Sequence, residues 1–268
     1  MTTATTAAPQ PREGRMAGRA FAFWLTNYRR VWRGTIISGF LSPLFFLVAM
    51  GFGLGALVDA DAGGLGTPGY VEFIAPGILA AQAMQTAVGE STFPVMGALK
   101  WQRQYHAMLA APLGIADIVL GHVAFVAMRV AITSVAFAIV AVALGAITSW
   151  WVVAAVLAAV LTGLAFTTPV FAFAARQDND SGFNVLFRFI VMPMFLFSGT
   201  FFPVEQLPAV LEAVAKVTPL WHGVELCRSL VMGTATPAGS LGHVAYLALW
   251  VAGGLWLAFA SFRKRLVT

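Results

Sequence analysis

The chain of 268 residues is 59% hydrophobic and only 10% charged, with a mean hydropathy of +0.83. A soluble domain is roughly half apolar and about a quarter charged, so this composition excludes that class and indicates a polytopic membrane protein. The net charge of +5, from 16 Lys+Arg against 11 Asp+Glu, then reads as anchoring charge at a cytoplasmic face, with no nucleic-acid partner.

Residues 1–15, rich in Thr, Ala and Pro, predict a disordered cytoplasmic tail. No short apolar core with a small-residue cleavage site follows the first arginines, so no cleaved leader is expected. Residues 16–268 read as one transmembrane domain. Within it, residues 16–33 place Phe21, Trp24, Leu25, Tyr28 and Trp32 at helical spacings, among Arg19, Arg29, Arg30 and Arg33. That pattern predicts an amphipathic interfacial helix, basic toward headgroups and aromatic toward acyl chains; the plainer alternative is a juxtamembrane stretch with anchoring arginines.

Six apolar spans follow, at residues 35–58, 71–96, 118–147, 150–174, 183–202 and 243–262. Each meets the requirement of roughly 20 mostly apolar residues to cross about 30 Å of hydrocarbon. The third and fourth are joined by barely a turn at 148–149. Between the second and third lies a basic, aromatic island, residues 98–117. Between the fifth and sixth lies a long segment, residues 203–242, with helical patterns at 204–217 and 220–232. Pro219 marks the start of the second pattern. Such a hairpin either re-enters the membrane or lies over it as a lid.

The basic residues set the orientation. With the N-terminus inside, inward segments carry Arg12, Arg15, Arg19, Arg29, Arg30, Arg33, Lys100, Arg103, Arg176, Arg263, Lys264 and Arg265. Outward segments carry only Lys216 and Arg228, against Asp59, Asp61, Glu72, Glu205, Glu212 and Glu225. The positive-inside rule therefore predicts a multi-pass membrane protein with both termini cytoplasmic.

Chemistry is sparse. No G-x-x-x-x-G-K-[ST] loop occurs, so the chain cradles no nucleotide of its own. The lone Cys227 and the scattered His106, His122, His222 and His243 offer neither a disulfide nor a metal site. No nucleophile elbow is present, so the chain is not expected to be an enzyme. Two ionisable residues, Glu90 and Arg129, fall inside apolar spans, roughly 9–18 Å below the cytoplasmic surface at about 1.5 Å per residue. They either pair across neighbouring spans or face water separately. Arg188, near the inner end of the fifth span, reads as a snorkelling anchor.

Several stretches together resemble the membrane subunit of ABC-2 type exporters, in particular the nodulation lipo-oligosaccharide exporters and related actinobacterial drug-resistance permeases. They are Phe73-Ile74-Ala75-Pro76-Gly77, Glu90-Ser91-Thr92-Phe93-Pro94-Val95, Lys100-Trp101 with Tyr105 through Leu113, and Asp117 through Gly121. Phe197 through Pro203 and Thr218 through His222 complete the set. The resemblance covers about residues 20–265. It implies a second permease copy, forming a homodimer, and two copies of a separate ATPase that holds ATP and Mg²⁺.

The resemblance also implies roles for parts of this chain. The loop between spans two and three, with Lys100, Trp101, Arg103, Tyr105, His106 and Met108, would be a coupling helix against the ATPase. The interfacial helix, with Trp24, Tyr28, Arg29, Arg30 and Trp32, would join it. The hairpin, with Phe201, Phe202, Pro203, Glu205, Trp221, His222 and Glu225, would form an extracellular gate. The residues themselves agree in part, because Trp101, Tyr105 and Met108 suit a partner's groove. Export of an amphipathic or lipid-linked molecule, glycolipid or hydrophobic drug, is the implied function. An ion-coupled carrier and a membrane enzyme or scaffold that moves nothing are the alternatives.

Overall fold

The computed structural model describes residues 14–30, 32–54 and 69–267. The expected tail up to residue 13, the end of the first span past Leu54, and Arg12, Asp59 and Asp61 lie outside these residues. Among the described residues every regular element is helical.

Helix α1 (Ala17–Tyr28) buries Ala20, Trp24 and Tyr28, a stripe at every fourth residue. That stripe packs on α6 (Ile115–Ala143), so these aromatics face protein where the sequence suggested acyl chains. Two features set the docking. Gly121 lets the backbones approach, because a Cβ there would stand 2.5 Å from Ala20 Cβ and 2.8 Å from the Ala17 carbonyl oxygen. Asp117 then ties the ends together, its carboxylate accepting from Met16 N at 2.7 Å and Gly114 N at 2.9 Å. A Gly121→Val variant is therefore expected to lift α1 off α6 and lose about 1–3 kcal/mol. Thermal unfolding in detergent reads that loss, and Gly253→Ala, where nothing lies within 4 Å, is the silent control.

Helix α1 ends before the expected boundary at residue 33. Trp32 instead opens α2 (Trp32–Leu47), which runs on as a π-helical turn over Val48–Leu54. The second span is α3 (Tyr70–Ser91) followed by α4 (Phe93–Met96) and a π turn, Gly97–Trp101. The break at Thr92 precedes Pro94, which supplies no N–H to the preceding turn. The basic island then turns through Arg103, the one non-glycine residue with positive φ (51°) among those described, into α5 (Gln104–Leu109).

Helix α7 (Val152–Arg176) is central, packing on α3, on α6, on α11 (Pro219–Val231) and on α12 (Pro237–Val267). The expected fifth span is a shorter helical segment, Ser181–Phe197, whose middle widens into a π turn. It consists of α8 (Ser181–Leu186), a π turn at Phe187–Val191 and α9 (Met192–Phe197). Pro193 gives the reason, since it lacks an N–H and its ring crowds the carbonyl four residues back. Pro208 likewise splits the first hairpin helix into a 3₁₀ turn, Val204–Gln206, and α10 (Ala209–Val217). α11 begins at Pro219 and is capped by Thr218, whose hydroxyl accepts from Trp221 N at 3.3 Å. Among the described residues, four segments are long and apolar enough to cross a membrane: Tyr70–Trp101, Ile115–Ala143, Val152–Arg176 and Pro237–Val267.

Candidate functional site

One end of the bundle gathers most of the basic residues around an aromatic cluster centred on His122. The His122 ring stacks on Trp24 of α1 at 3.8 Å between centroids, and Phe171 of α7 meets its edge at 5.0 Å. Tyr105 of α5 places its hydroxyl 2.5 Å from His122 Nδ1 and its ring 5.5 Å from Phe262 of α12. Three helices thus meet the imidazole that α6 carries, and α12 joins the cluster through Phe262, which packs on Tyr105 and Phe171. Full burial raises the Tyr105 phenol pKa well above its ordinary value, so the residue stays neutral.

This corrects one expectation about the basic island. Tyr105 is fully buried and Met108 nearly so, because both fasten α5 to the bundle and neither is free to enter a partner's groove. The face left open carries Trp101, 66% exposed, with Gln102, Arg103 and His106. Lys100 sits at its edge and donates to the Asp178 carbonyl oxygen, with the Asp178 carboxylate 3.6 Å away. Arg265 of α12 reaches the same carboxylate at 2.8 Å. The Arg265 hydrogen bond and charge, then Lys100, hold the Asp178 pKa below its ordinary range. Sequence reasoning passed over Asp178. Its signal was an acidic run, Asp178-Asn179-Asp180, between spans at an otherwise basic end.

Deeper in the bundle, Arg129 Nη2 of α6 lies 2.6 Å from Glu90 Oε1 of α3. The guanidinium also sits 4.8 Å from the ring centroid of Tyr28. Helix α1 therefore closes the charge pair from a third side, as a cation–π partner.

At the opposite end the hairpin residues divide into three groups. Pro203, Glu205, Trp221 and Glu225 line a pocket of about 400 Å³ around Arg228. Phe201 turns away and joins Phe46 and Phe195, at 5.9 and 5.1 Å between centroids; Phe202 is half-buried beside it. His222 packs toward α12, its Nδ1 2.8 Å from His243 Nδ1 and its ring stacked on Tyr246. Burial, and then the charge of His243, push the His222 pKa down to about 4.

Arg228 itself was read only as an outward charge, yet it is the most constrained residue here. It is 8% exposed, donates from Nη2 to the Gly199 carbonyl oxygen at 2.6 Å and lies 4.0 Å over the Phe73 ring. Apart from Glu225 three residues earlier, its partners are backbone oxygens distant in sequence, which no spacing rule marks.

The family model for ABC-2 type transporters matches residues 20–232, most of the chain. This chain belongs to the ABC-2 type transporter family. As an ABC-2 permease it is a membrane component of a transporter. Nodulation protein J of Rhizobium leguminosarum bv. trifolii is 32% identical to it over 251 residues, covering 92% of this chain and 93% of the relative. Nodulation protein J of Rhizobium meliloti (strain 1021) is 30% identical with the same coverage. The inner membrane transport permease YadH of Escherichia coli (strain K12) is 23% identical over 215 residues, covering 77% and 79%. No solved structure matches this ABC-2 permease.

Proposed function

We propose that this ABC-2 permease is the membrane half of an ATP-driven exporter that moves an amphipathic or lipid-linked molecule out of a bacterial cell. In this reading the basic end faces the cytoplasm and two copies of the chain associate with two ATPase subunits, which carry ATP and Mg²⁺. Helix α2 and the segment Ser181–Phe197 complete six spans, and the hairpin of α10 and α11 is the extracellular gate. The resemblance to nodulation lipo-oligosaccharide exporters supports a lipo-oligosaccharide or similar glycolipid as cargo, with a hydrophobic drug as the alternative.

The observation that carries this reading is the His122 cluster. A push on the open face of Trp101, Arg103 and His106 reaches α5. Tyr105 passes it to His122 on α6, and the same ring contacts carry it to α1, α7 and α12. Close packing transmits such displacement because a filled core does not deform continuously. The Asp178 ion pairs add a second tie between this face and the end of α12.

The pair Trp101→Ala and Arg103→Glu tests the docking. Both side chains are exposed, so the double variant is expected to insert and melt like the parent. It is also expected to lose an anchor worth about 2 kcal/mol or more, a thirtyfold or so weaker hold on the ATPase. Copurification with the ATPase, and cargo-stimulated ATP hydrolysis, are the measurements. Undiminished assembly together with full stimulation would remove the island from the interface.

A further inference from the structure

A cavity of about 890 Å³ lies between α2, α3 and the segment Ser181–Phe197, partly open on one side. Its size falls within the range typical of ligand sites. Its lining has two kinds of group. Phe46 of α2 and Phe195 of α9 offer rings, while Gln82, Gln85, Asn184 and Arg188 offer polar atoms. Polar side chains at membrane depth are costly when nothing meets them. Here four of them, from two separate segments, line one space, with Gln82 half-buried and Gln85, Asn184 and Arg188 exposed. Gln82 and Gln85 share a face of α3, three residues apart.

Arg188 is the only ionisable group in the lining, and no described residue forms an ion pair or hydrogen bond with it. It lies seven residues into the segment, about 10 Å from its start. The π turn Phe187–Val191, imposed ahead of Pro193, carries it. Such widened turns commonly re-aim side chains at functional positions. The Arg188 guanidinium is exposed beside this lining with no ion-pair partner among the described residues, so it is open to an anion that enters the cavity.

We propose that this cavity is a cargo site for an amphiphile bearing one anionic group, a phosphate, sulfate or carboxylate, held by the Arg188 guanidinium. Its apolar part lies along Phe46 and Phe195, and the three amides hydrogen-bond its uncharged polar groups. Arg188 therefore sets specificity for charge, through a fork geometry that a carboxylate or phosphate accepts at two points. The inference rests on the exporter reading, which supplies the reason for a cavity reached from within the membrane.

The test uses the full-length permease in phosphatidylcholine nanodiscs, with dodecyl phosphate and its uncharged dimethyl ester as probes. The parent is expected to prefer dodecyl phosphate by about tenfold, the effect of one charge-assisted contact. Arg188→Gln is expected to abolish that preference, and a melting midpoint matching the parent reports an intact fold. Arg188→Lys should restore part of the preference. An unchanged preference in Arg188→Gln overturns the proposal. So does displacement of the probe by phosphatidic acid built into the disc, since a resident bilayer lipid then fills the site. In cells with the partner ATPase, Arg188→Gln is expected to lower export of a fluorescent phosphate amphiphile about tenfold relative to its neutral counterpart. Failure of the parent to export either dye, with the binding preference intact, strikes at the exporter reading alone.

Discussion

An Arg228→Met variant of this permease is expected to insert, yet to lose about 2–4 kcal/mol of stability and most of its export. The methionine retains bulk but no donor. It strands the Gly199 carbonyl oxygen, which the guanidinium meets at 2.6 Å, and weakens the hold on the Phe73 carbonyl oxygen at 3.4 Å. Those two carbonyls belong to the turn after α9 and to the first turn of α3. Arg228 in α11 therefore clamps three segments that the chain connects only at long range. Glu225, 3.5 Å away, steadies the charge, while burial lowers the guanidinium pKa. The approach is tight, since a Cβ on Gly77 would lie 2.9 Å from the Thr200 carbonyl oxygen and 3.2 Å from Arg228 Nη2. Arg228→Lys should fall between, retaining charge without the planar fork. A melting midpoint and an export rate that both match the parent in Arg228→Met would show that the clamp carries no load.

The second large effect concerns the charge pair. Glu90→Leu leaves the Arg129 guanidinium, with a side chain only 11% exposed, without its anion. Losing one partner of a buried pair costs about 3–5 kcal/mol, whereas exchanging both for apolar groups is often close to neutral. Combining Glu90→Leu with Arg129→Met is thus expected to recover most of the loss, with a coupling energy of about 2 kcal/mol or more. Unfolding of all four variants in mixed micelles gives the cycle. Strictly additive losses would mean that each charge is satisfied elsewhere. Tyr28→Leu is a smaller companion change, removing only the ring face 4.8 Å from the guanidinium.

These two sites show where sequence stops being informative. Lengths of apolar runs and the effects of proline are local properties. The helical class, the start of α11 at Pro219 and the long segments around residues 71–96, 118–147 and 150–174 were therefore legible. The irregularities at Pro94, Pro193 and Pro208 were marked by the same residue type, though they were passed over in favour of regular helices. Helix rotation was not legible. In a soluble protein an aromatic stripe such as Trp24 and Tyr28 points to the core, but lipid is as apolar as leucine and removes that inference. Tyr105 and Met108 shared the difficulty, since a side chain suited to a partner's groove is equally suited to its own bundle. Arg228 and Asp178 were hidden for another reason. Their long-range hydrogen-bond partners lie 29 to 155 residues distant, and only folding brings them near.

The central position of α7 has a consequence for where the chain tolerates substitution. A helix enclosed by α3, α6, α11 and α12 cannot change shape at one place without disturbing four contacts. Ser181–Phe197, by contrast, leaves Val185, Phe189, Ile190 and Met192 largely exposed. Substitutions on the enclosed helix are therefore expected to cost stability, whereas changes at these four exposed side chains are expected to cost little.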